Sequence, residues 1–265
     1  MKICVCGKGG SGKSTVTCLL AMAFRREGKN PVVLDSDESN TSLFWMLGFE
    51  TPPRPLMELV GGKKEVQRKM MAQFSKGKDE PAMTLWEREA ISTPDIPSDC
   101  APEKDGITLV STGKIHQALE GCACPMGSIS KEFLRKFQTA ENEVMLVDME
   151  AGIEHFGRGL ESGVDRVVGV VEPSLESVTL AQQIMQLSHA SGAVFSGAIL
   201  NKVPSEEQKN RLAERLSDRG VPVVGCIPSD ERLQTAGLDG AALTAEMIPQ
   251  ETETVLRVLL NSGQP

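Results

Sequence analysis

Short apolar runs alternate along the chain with longer segments in which apolar positions recur with the period of a helix. The runs of strand length lie at residues 2–6, 31–35, 107–111, 144–148, 166–171, 194–200 and 221–227. The helical patterns lie at residues 14–28, 128–140, 175–190, 206–219 and 250–261. Strands that are apolar on both faces are typical of a parallel sheet covered by helices. The chain is therefore predicted to be a doubly wound α/β protein with a mostly parallel sheet and helices on both faces.

Residues 50–106 interrupt this alternation. The segment opens with TPPRP and closes with STPDIPSDCAPEKDG, and two charged helical segments are predicted between them, around Val66 and Trp86. Clusters of proline, serine and aspartate are typical of surface loops. We predict one domain spanning residues 1–265, in which residues 50–106 form an insertion or flap on the surface.

The stretch GKGGSGKS at residues 7–14 follows the first apolar run and precedes a helical pattern. It fits the phosphate-loop pattern G-x-x-x-x-G-K-S/T, in which glycines let the backbone turn tightly and point N–H groups at phosphate oxygens. The positive end of the following helix adds to the attraction. The stretch predicts a P-loop nucleotide site in which Lys13 contacts the β and γ phosphates and Ser14 is a ligand of Mg²⁺. The predicted nucleotide-binding residues are Gly7, Gly9, Gly10, Ser11, Gly12, Lys13, Ser14 and Thr15.

Aspartates stand at the ends of two further apolar runs. Asp35 and Asp37 lie at the end of the second run, and Asp148 ends the fourth, just before residues 152–159. Because the carboxyl ends of parallel strands meet at one edge of a sheet, these carboxylates are expected beside the phosphate loop. Asp148 fits the strand-end aspartate near the metal, and residues 152–159 fit a sensor of the γ-phosphate. After the sixth run, the stretch NKVP has Pro204 where guanine-binding proteins carry an acid, which favours ATP over GTP.

Lys8 gives the phosphate loop the form GKGGxGKS. This form resembles the deviant Walker A motif of the ATPase family that includes MinD, ParA, nitrogenase reductase and metal-cofactor maturation ATPases. The resemblance implies a homodimer that forms on ATP binding, in which Lys8 reaches the nucleotide of the partner. It also implies that Asp37 positions either the attacking water or a water bound to Mg²⁺, and that Asn201 and the backbone around Pro228 hold the adenine. The implied catalytic residues are Lys8, Lys13, Asp37 and Asp148.

Two cysteines one residue apart, Cys122 and Cys124, lie in EGCACPMG, which reads as an exposed turn. A closed tetrahedral thiolate site needs four ligands, and the two-fold axis of an ATP-bound dimer would bring in a second pair. The stretch GCACPMG, together with DMEAGIEHFGRG and the phosphate loop, resembles the CooC-type ATPases that mature carbon monoxide dehydrogenase. The resemblance implies a Ni²⁺-binding ATPase whose dimer holds the ion between the paired thiolates and delivers it to that client enzyme. Zn²⁺ would compete for the same thiolates.

The composition narrows the remaining function classes. The seven cysteines are odd in number and unevenly spaced, so a disulfide framework is not expected. Those at positions 4, 6, 18 and 226 are predicted to fill the core, and Cys100 is predicted to be a loop thiol.

A net charge of −8 disfavours binding to nucleic acid. No apolar run reaches the roughly 18 residues of a membrane-spanning helix, and the chain starts without a leader pattern, so we expect a cytoplasmic protein with no membrane or nucleic-acid partner.

Two alternative functions stay open at this point. One is an iron–sulfur reductase or carrier of the nitrogenase-reductase type, in which the thiolates of a dimer hold a cluster. The other is a positioning or partition ATPase of the MinD or ParA type, which works by binding membrane or DNA.

Overall fold

A single mixed sheet forms the centre of the molecule in the computed structural model, which describes residues 1–76, 86–114, 124–153, 156, 159 and 163–261. Within these residues the sheet has eight strands in the order β3-β4-β2-β5-β1-β6-β7-β8. The strands are β1 Lys2–Gly7, β2 Asn30–Asp35, β3 Glu103–Lys104, β4 Ile107–Ser111, β5 Glu143–Asp148, β6 Arg166–Val171, β7 Val194–Val203 and β8 Val223–Pro228. Neighbouring strands pair in parallel, apart from β3, which pairs with β4 in antiparallel fashion. The mostly parallel sheet predicted from the apolar runs is confirmed, and the pattern missed only the short, exposed β3 among the described strands.

Helices cover both faces of the sheet. In the described part of the chain they are α1 Lys13–Arg26, α2 Leu43–Met46, α3 Leu56–Leu59, α4 Gly62–Lys76, α5 Cys124–Lys136, α6 Leu175–Ser191, α7 Glu206–Ser217, α8 Glu231–Asp239 and α9 Thr252–Asn261, with 3₁₀ turns at Thr93–Asp95 and Ala245–Met247. Alternate residues of β1 enter different apolar clusters, because successive strand side chains point to opposite faces. Cys4 and Cys6 join the cluster that α5, α6 and α7 cover, whereas Ile3 and Val5 join the cluster under α1 and α9. The doubly wound arrangement is therefore confirmed.

The helix after the cysteine pair differs from its prediction. It begins at Cys124 and ends at Lys136, whereas the sequence pattern indicated residues 128–140. Cys124 is thus the first residue of α5, and its main chain is helical rather than part of the predicted turn. Pro125 explains the early start, because proline is favoured in the first turn of a helix, where its missing N–H is not needed. The helix expected around Trp86 is also absent from residues 86–90, which form bends.

The described residues of the segment 50–106 pack onto the same core as the rest of the chain. Leu56, Val66 and Ile91 join the apolar cluster that contains Phe133 of α5. Cys100, predicted to be a loop thiol, lies in a turn and is fully buried in this cluster. The description of the segment as an insertion stays a prediction. The other four cysteines that the structure describes completely, at positions 4, 6, 18 and 226, are buried as predicted.

Candidate nucleotide site

The phosphate loop lies at the middle of the carboxyl edge of the sheet. It connects β1, which is paired with β5 and β6, to the start of α1. Asp35 at the end of β2 is the direct neighbour of Asp148 at the end of β5. The main-chain N–H of Gly152 donates to the carbonyl of Gly7 at 3.2 Å. The strand order therefore brings the loop and both acidic strand ends together, as the sequence pattern predicted.

The backbone of the loop requires glycine at two positions. Gly12, at the N-terminus of α1, has φ of 91°, and a Cβ there would lie 2.3 Å from Asn201 Nδ2. A Cβ on Gly7 would lie 2.6 Å from the carbonyl oxygen of Val170. No acidic side chain occupies the first turn of α1, so its free N–H groups keep their positive potential. The loop has the geometry of an anion site, as the predicted nucleotide-binding role requires.

The remaining side chains of the loop lie around this backbone. Lys13 is buried, and its ammonium group folds back to donate to the carbonyl of Lys8 at 3.3 Å. The N–H of Ser11 donates to the same carbonyl at 3.1 Å. Thr15 is half-buried in the first turn of α1, whereas Gly9 and Gly10 are exposed. The ammonium group of Lys13 therefore lies against the phosphate loop, where it is predicted to contact the β and γ phosphates.

Ser14 and Asp148 form the centre of the predicted Mg²⁺ site. The hydroxyl of Ser14 donates to Asp148 Oδ2 at 2.6 Å. Asp148 is fully buried, and its second oxygen, Oδ1, has no hydrogen-bond partner among the described residues. Burial, together with the charge of Asp35, raises the pKa of Asp148 to about 7. A buried carboxylate oxygen without a partner beside a hydroxyl suits a hard divalent cation, so these residues fit Mg²⁺.

Asp35 is held by a lysine that sequence reasoning missed. Lys114 Nζ lies 2.7 Å from Asp35 Oδ1, and it also donates to the main-chain carbonyl of Asp37. Burial raises the pKa of Asp35 to about 6, although the ammonium of Lys114 opposes the shift. A lone lysine three residues after β4 matches no motif, so the sequence offered no signal for this contact.

Asp37 organises the turn that follows β2. Its Oδ1 accepts hydrogen bonds from the N–H of Ser39 at 2.9 Å, the hydroxyl of Ser39 at 2.6 Å and the N–H of Asn40 at 3.2 Å. Asn40 Nδ2 in turn donates to Ser14 Oγ at 2.5 Å. Asn40 is a second site residue that sequence reasoning missed. The role of Asp37 in positioning water stays a prediction.

Lys8 is paired within its own chain. Its ammonium lies 3.2 Å from Glu172 Oε1 and 3.1 Å from Glu176 Oε2, and hydrogen bonds to Glu176 and Glu172 raise the pKa of Lys8. Glu172 follows β6, and Glu176 lies in the first turn of α6. Neither glutamate was identified from the sequence. The predicted contact of Lys8 with a partner's nucleotide is not tested by a single chain.

The two residues predicted to hold adenine have different surroundings. Asn201 is buried, and its Nδ2 donates to the carbonyl of Ser11 at 2.7 Å. The next residue, Lys202, has φ of 58° and donates from Nζ to the carbonyl of Gly10 at 2.6 Å. Asn201 therefore supports the phosphate loop in this structure, and its adenine contact stays a prediction. Pro228 is exposed at the end of β8, and its contact with the base also stays a prediction.

The predicted thiolate site falls outside what the structure describes. Cys122 lies outside the described residues, and so does the side chain of Cys124. Among the residues that are described, no group of three or more His, Cys, Asp or Glu side chains could hold a metal ion. The same part of the chain contains no helix with the length and apolar character needed to cross a bilayer.

Comparisons with known proteins agree with this geometry. The family description CobQ/CobB/MinD/ParA nucleotide binding domain, CbiA, matches residues 3–243. An uncharacterized ATP-binding protein of Methanocaldococcus jannaschii is 40% identical over 98% of this chain and 99% of its own length. The carbon monoxide dehydrogenase accessory protein CooC of Rhodospirillum rubrum is 35% identical over 91% of this chain and 88% of its own length. The septum site-determining protein MinD of Pyrococcus horikoshii, solved with Mg-ADP, shares the fold with a TM-score of 0.66 at 15% identity, covering 99% of this chain and 96% of that one.

Proposed function

The chain belongs to the CobQ/CobB/MinD/ParA family of nucleotide-binding domains, and we propose that this ATPase delivers a metal ion to a client enzyme in the manner of CooC. The observation that carries the proposal is the 35% identity to a carbon monoxide dehydrogenase accessory protein over 91% of the chain. The resemblance of the GCACPMG stretch to the CooC-type ATPases supports the same conclusion. The proposed cargo is Ni²⁺, with Zn²⁺ as a competitor, and the proposed client is carbon monoxide dehydrogenase.

Hydrolysis in this proposal uses the groups at the carboxyl edge of the sheet. The phosphate loop and Lys13 hold the β and γ phosphates, and Ser14 and Asp148 hold Mg²⁺ together with its bound water. Bound Mg²⁺ neutralises charge that develops on the phosphates. Asp37 orients the water whose oxygen forms a new bond to the γ-phosphorus while the bond to the bridging oxygen breaks, which gives ADP, inorganic phosphate and a proton that passes to solvent. Lys8 of one copy supports the nucleotide of the other.

The metal site in this proposal depends on dimer formation. Each copy contributes Cys122 and Cys124, and two copies related by a two-fold axis together contribute the four thiolates that a closed tetrahedral site requires. ATP and the metal ion then favour the same dimer. By thermodynamic linkage, each ligand must raise the affinity of the other. Hydrolysis removes the ATP that stabilises the dimer, and the affinity of the protein for the metal ion therefore falls.

Metal analysis of the purified full chain tests the proposal. Protein prepared without oxygen is incubated with Ni²⁺ or Zn²⁺, with and without Mg-ATP, and its mass in solution and metal content are measured. We expect about one ion per two chains with ATP. Cys122→Ser and Cys124→Ser should each abolish this binding and leave nucleotide binding intact. Cys226→Ser, in β8, is the control.

The same analysis contains the outcomes that contradict the proposal. Undiminished metal binding by the double variant of Cys122 and Cys124 would remove it. Iron and sulfide in the protein, with a brown colour, would favour the iron–sulfur carrier instead.

A positioning ATPase of the MinD type is the second candidate, because the fold is shared with MinD. One observation weakens its membrane form. The helix α9 packs against α1 and β8, and its Val255, Leu256 and Leu259 are buried in the core. These three side chains are therefore covered and do not face outwards as a lipid-binding surface, whereas Leu260 of the same helix is exposed. ATP-dependent sedimentation of the protein with liposomes or DNA would favour this candidate.

A further inference from the structure

Residues 35–37, at the end of β2, are hydrogen-bonded to two elements that lie far from them in the sequence, the end of β4 and the helix α5. On one side, Lys114 Nζ contacts Asp35 Oδ1 at 2.7 Å and donates to the carbonyl of Asp37. Lys114 follows β4, and the main chain of Thr112 also donates to the carbonyl of Asp35 at 3.1 Å. The end of β4 is thus fastened to residues 35–37 by several contacts.

On the other side, residues 35–37 are bonded to α5. The hydroxyls of Ser36 and Ser130 lie 2.7 Å apart, and both side chains are buried. Ser130 stands in the helix that begins at Cys124. The main-chain N–H of Ser36 also donates to the carbonyl of Asp148 at 3.0 Å, which joins this contact to the predicted Mg²⁺ site.

A continuous series of hydrogen bonds leads from Lys114 to the phosphate loop. Lys114 holds the main chain of Asp37, and Asp37 Oδ1 accepts from the N–H of Asn40. Asn40 Nδ2 donates to Ser14 Oγ, and Ser14 donates to Asp148. Ser14 is therefore linked to Asp37 through the side chain and main chain of Asn40.

The contacts on both sides of residues 35–37 are buried, so breaking them costs free energy. The side chains of Lys114 and Asp35 are only 13% and 7% exposed, so separating them would leave buried charges without a partner. The hydroxyls of Ser36 and Ser130 are likewise shielded from water, which makes the loss of their hydrogen bond costly. Residues 35–37 are therefore held to both β4 and α5 by contacts that are costly to break.

We propose that Lys114 and Ser130 act as positioning residues that couple the nucleotide site to β4 and α5 through residues 35–37. We call these five residues, Asp35, Ser36, Asp37, Lys114 and Ser130, the coupling clamp. Its purpose rests on the proposed function, since Cys122 and Cys124 lie between Lys114 and Ser130 in the sequence. The clamp would make the elements that flank the cysteine pair respond to the presence of nucleotide.

Hydrogen exchange and steady-state hydrolysis on the full chain test the clamp, with Mg-ATPγS as the probe and no Ni²⁺ or Zn²⁺ added. In the unmodified protein we expect the nucleotide to slow exchange of the α5 amides. Lys114→Met should remove most of that slowing and lower kcat about tenfold, with KM for Mg-ATP changed by less than about threefold. Lys114→Arg, which keeps the charge, should restore most of both effects.

Two further variants separate a positioning role from a general loss of stability. Ser130→Ala should remove the slowing in α5 and leave kcat near that of the unmodified protein. Lys209→Met removes a lysine that is paired with Glu206 on the exposed side of α7, and it should change neither measurement. If Lys114→Met does not fold, the combined Ser36→Ala and Ser130→Ala variant carries the test, because it removes both hydroxyls together.

The possible outcomes test the coupling clamp separately from the proposed metal site. An α5 that does not respond to Mg-ATPγS in the unmodified protein overturns the clamp. So does a folded Lys114→Met variant with unchanged kcat and unchanged slowing, or an unchanged response in the combined serine variant. Because no cargo metal is present, these results do not depend on metal binding. Failure of Cys122 and Cys124 to bind metal would remove the proposed function and leave the measured coupling standing.

Discussion

Replacing Asp148 with asparagine should stabilise the folded chain in the absence of nucleotide while abolishing its hydrolytic activity. The pKa of Asp148 is raised from 3.8 to about 7 by burial and by the charge of Asp35. A pKa difference of this size corresponds to roughly 4 kcal/mol by which the ionised carboxylate disfavours the folded state. The amide keeps an acceptor for Ser14, but its N–H groups lack partners, which costs about 1–3 kcal/mol. We expect a net gain of roughly 1–3 kcal/mol in the free energy of unfolding at pH 8.

The gain in the free energy of unfolding should increase as the pH rises. Below pH 3.8 Asp148 carries its proton in both the folded and the unfolded chain, so its ionisation costs nothing. Between pH 3.8 and about 7 the unfolded chain loses this proton first, and the stability of the unmodified protein falls as the pH rises. Above that window the penalty is constant. The advantage of Asp148→Asn should therefore be largest at pH 8 and should shrink towards pH 4.

Urea denaturation followed by circular dichroism, with EDTA and without nucleotide, measures the effect at several pH values. Asp105→Asn is the matched control, because Asp105 is exposed and has φ of 51°, a conformation that asparagine tolerates equally well. Its effect should stay within about 0.5 kcal/mol at every pH. In the hydrolysis assay Asp148→Asn should lower kcat by about 100-fold or more, since the carboxylate that we predict to hold Mg²⁺ is lost.

Two results would refute this reasoning. A variant that is less stable than the unmodified protein at pH 8 would show that Asp148 is not an unfavourable buried charge. An equal gain at pH 5 and pH 8 would show that the gain has a cause other than ionisation. Either result would also weaken the argument that the unpartnered oxygen of Asp148 is reserved for a cation.

Three further substitutions test other parts of the site. Gly12→Ala should weaken Mg-ATP binding about 100-fold or more in a calorimetric titration, because the new Cβ would lie 2.3 Å from Asn201 Nδ2 at a φ of 91°; near-normal affinity would contradict the loop geometry. Asn201→Ala removes the donor to the carbonyl of Ser11 and should raise KM for Mg-ATP about tenfold, whereas a change in kcat alone would argue against its support of the loop. Lys8→Ala should change the unfolding midpoint little, because its ion pairs are partly exposed to solvent, and should abolish ATP-dependent dimer formation in light scattering; a normal dimer would remove its implied role.

The sequence alone determined the parts of this protein that depend on neighbouring residues. Apolar runs such as β5 and β6 identified the buried parallel sheet, since strands buried on both faces must be apolar throughout. The spacing within residues 7–14 identified the phosphate loop, because a tight turn before a helix requires glycine at particular positions. The strand-end position of Asp148 followed from the same local pattern.

Which distant side chains complete the site depends on how the chain folds. Lys114 is 79 positions from Asp35, and Asn201 is 190 positions from Ser11. Such contacts depend on the order of strands in the sheet, and a local pattern does not give that order, so it could not pair these particular side chains. The burial of Cys100 has the same origin, since a loop residue enters the core only when its segment packs on α5. The chain thus encodes its elements locally, while the arrangement of the nucleotide site arises from the way those elements are assembled.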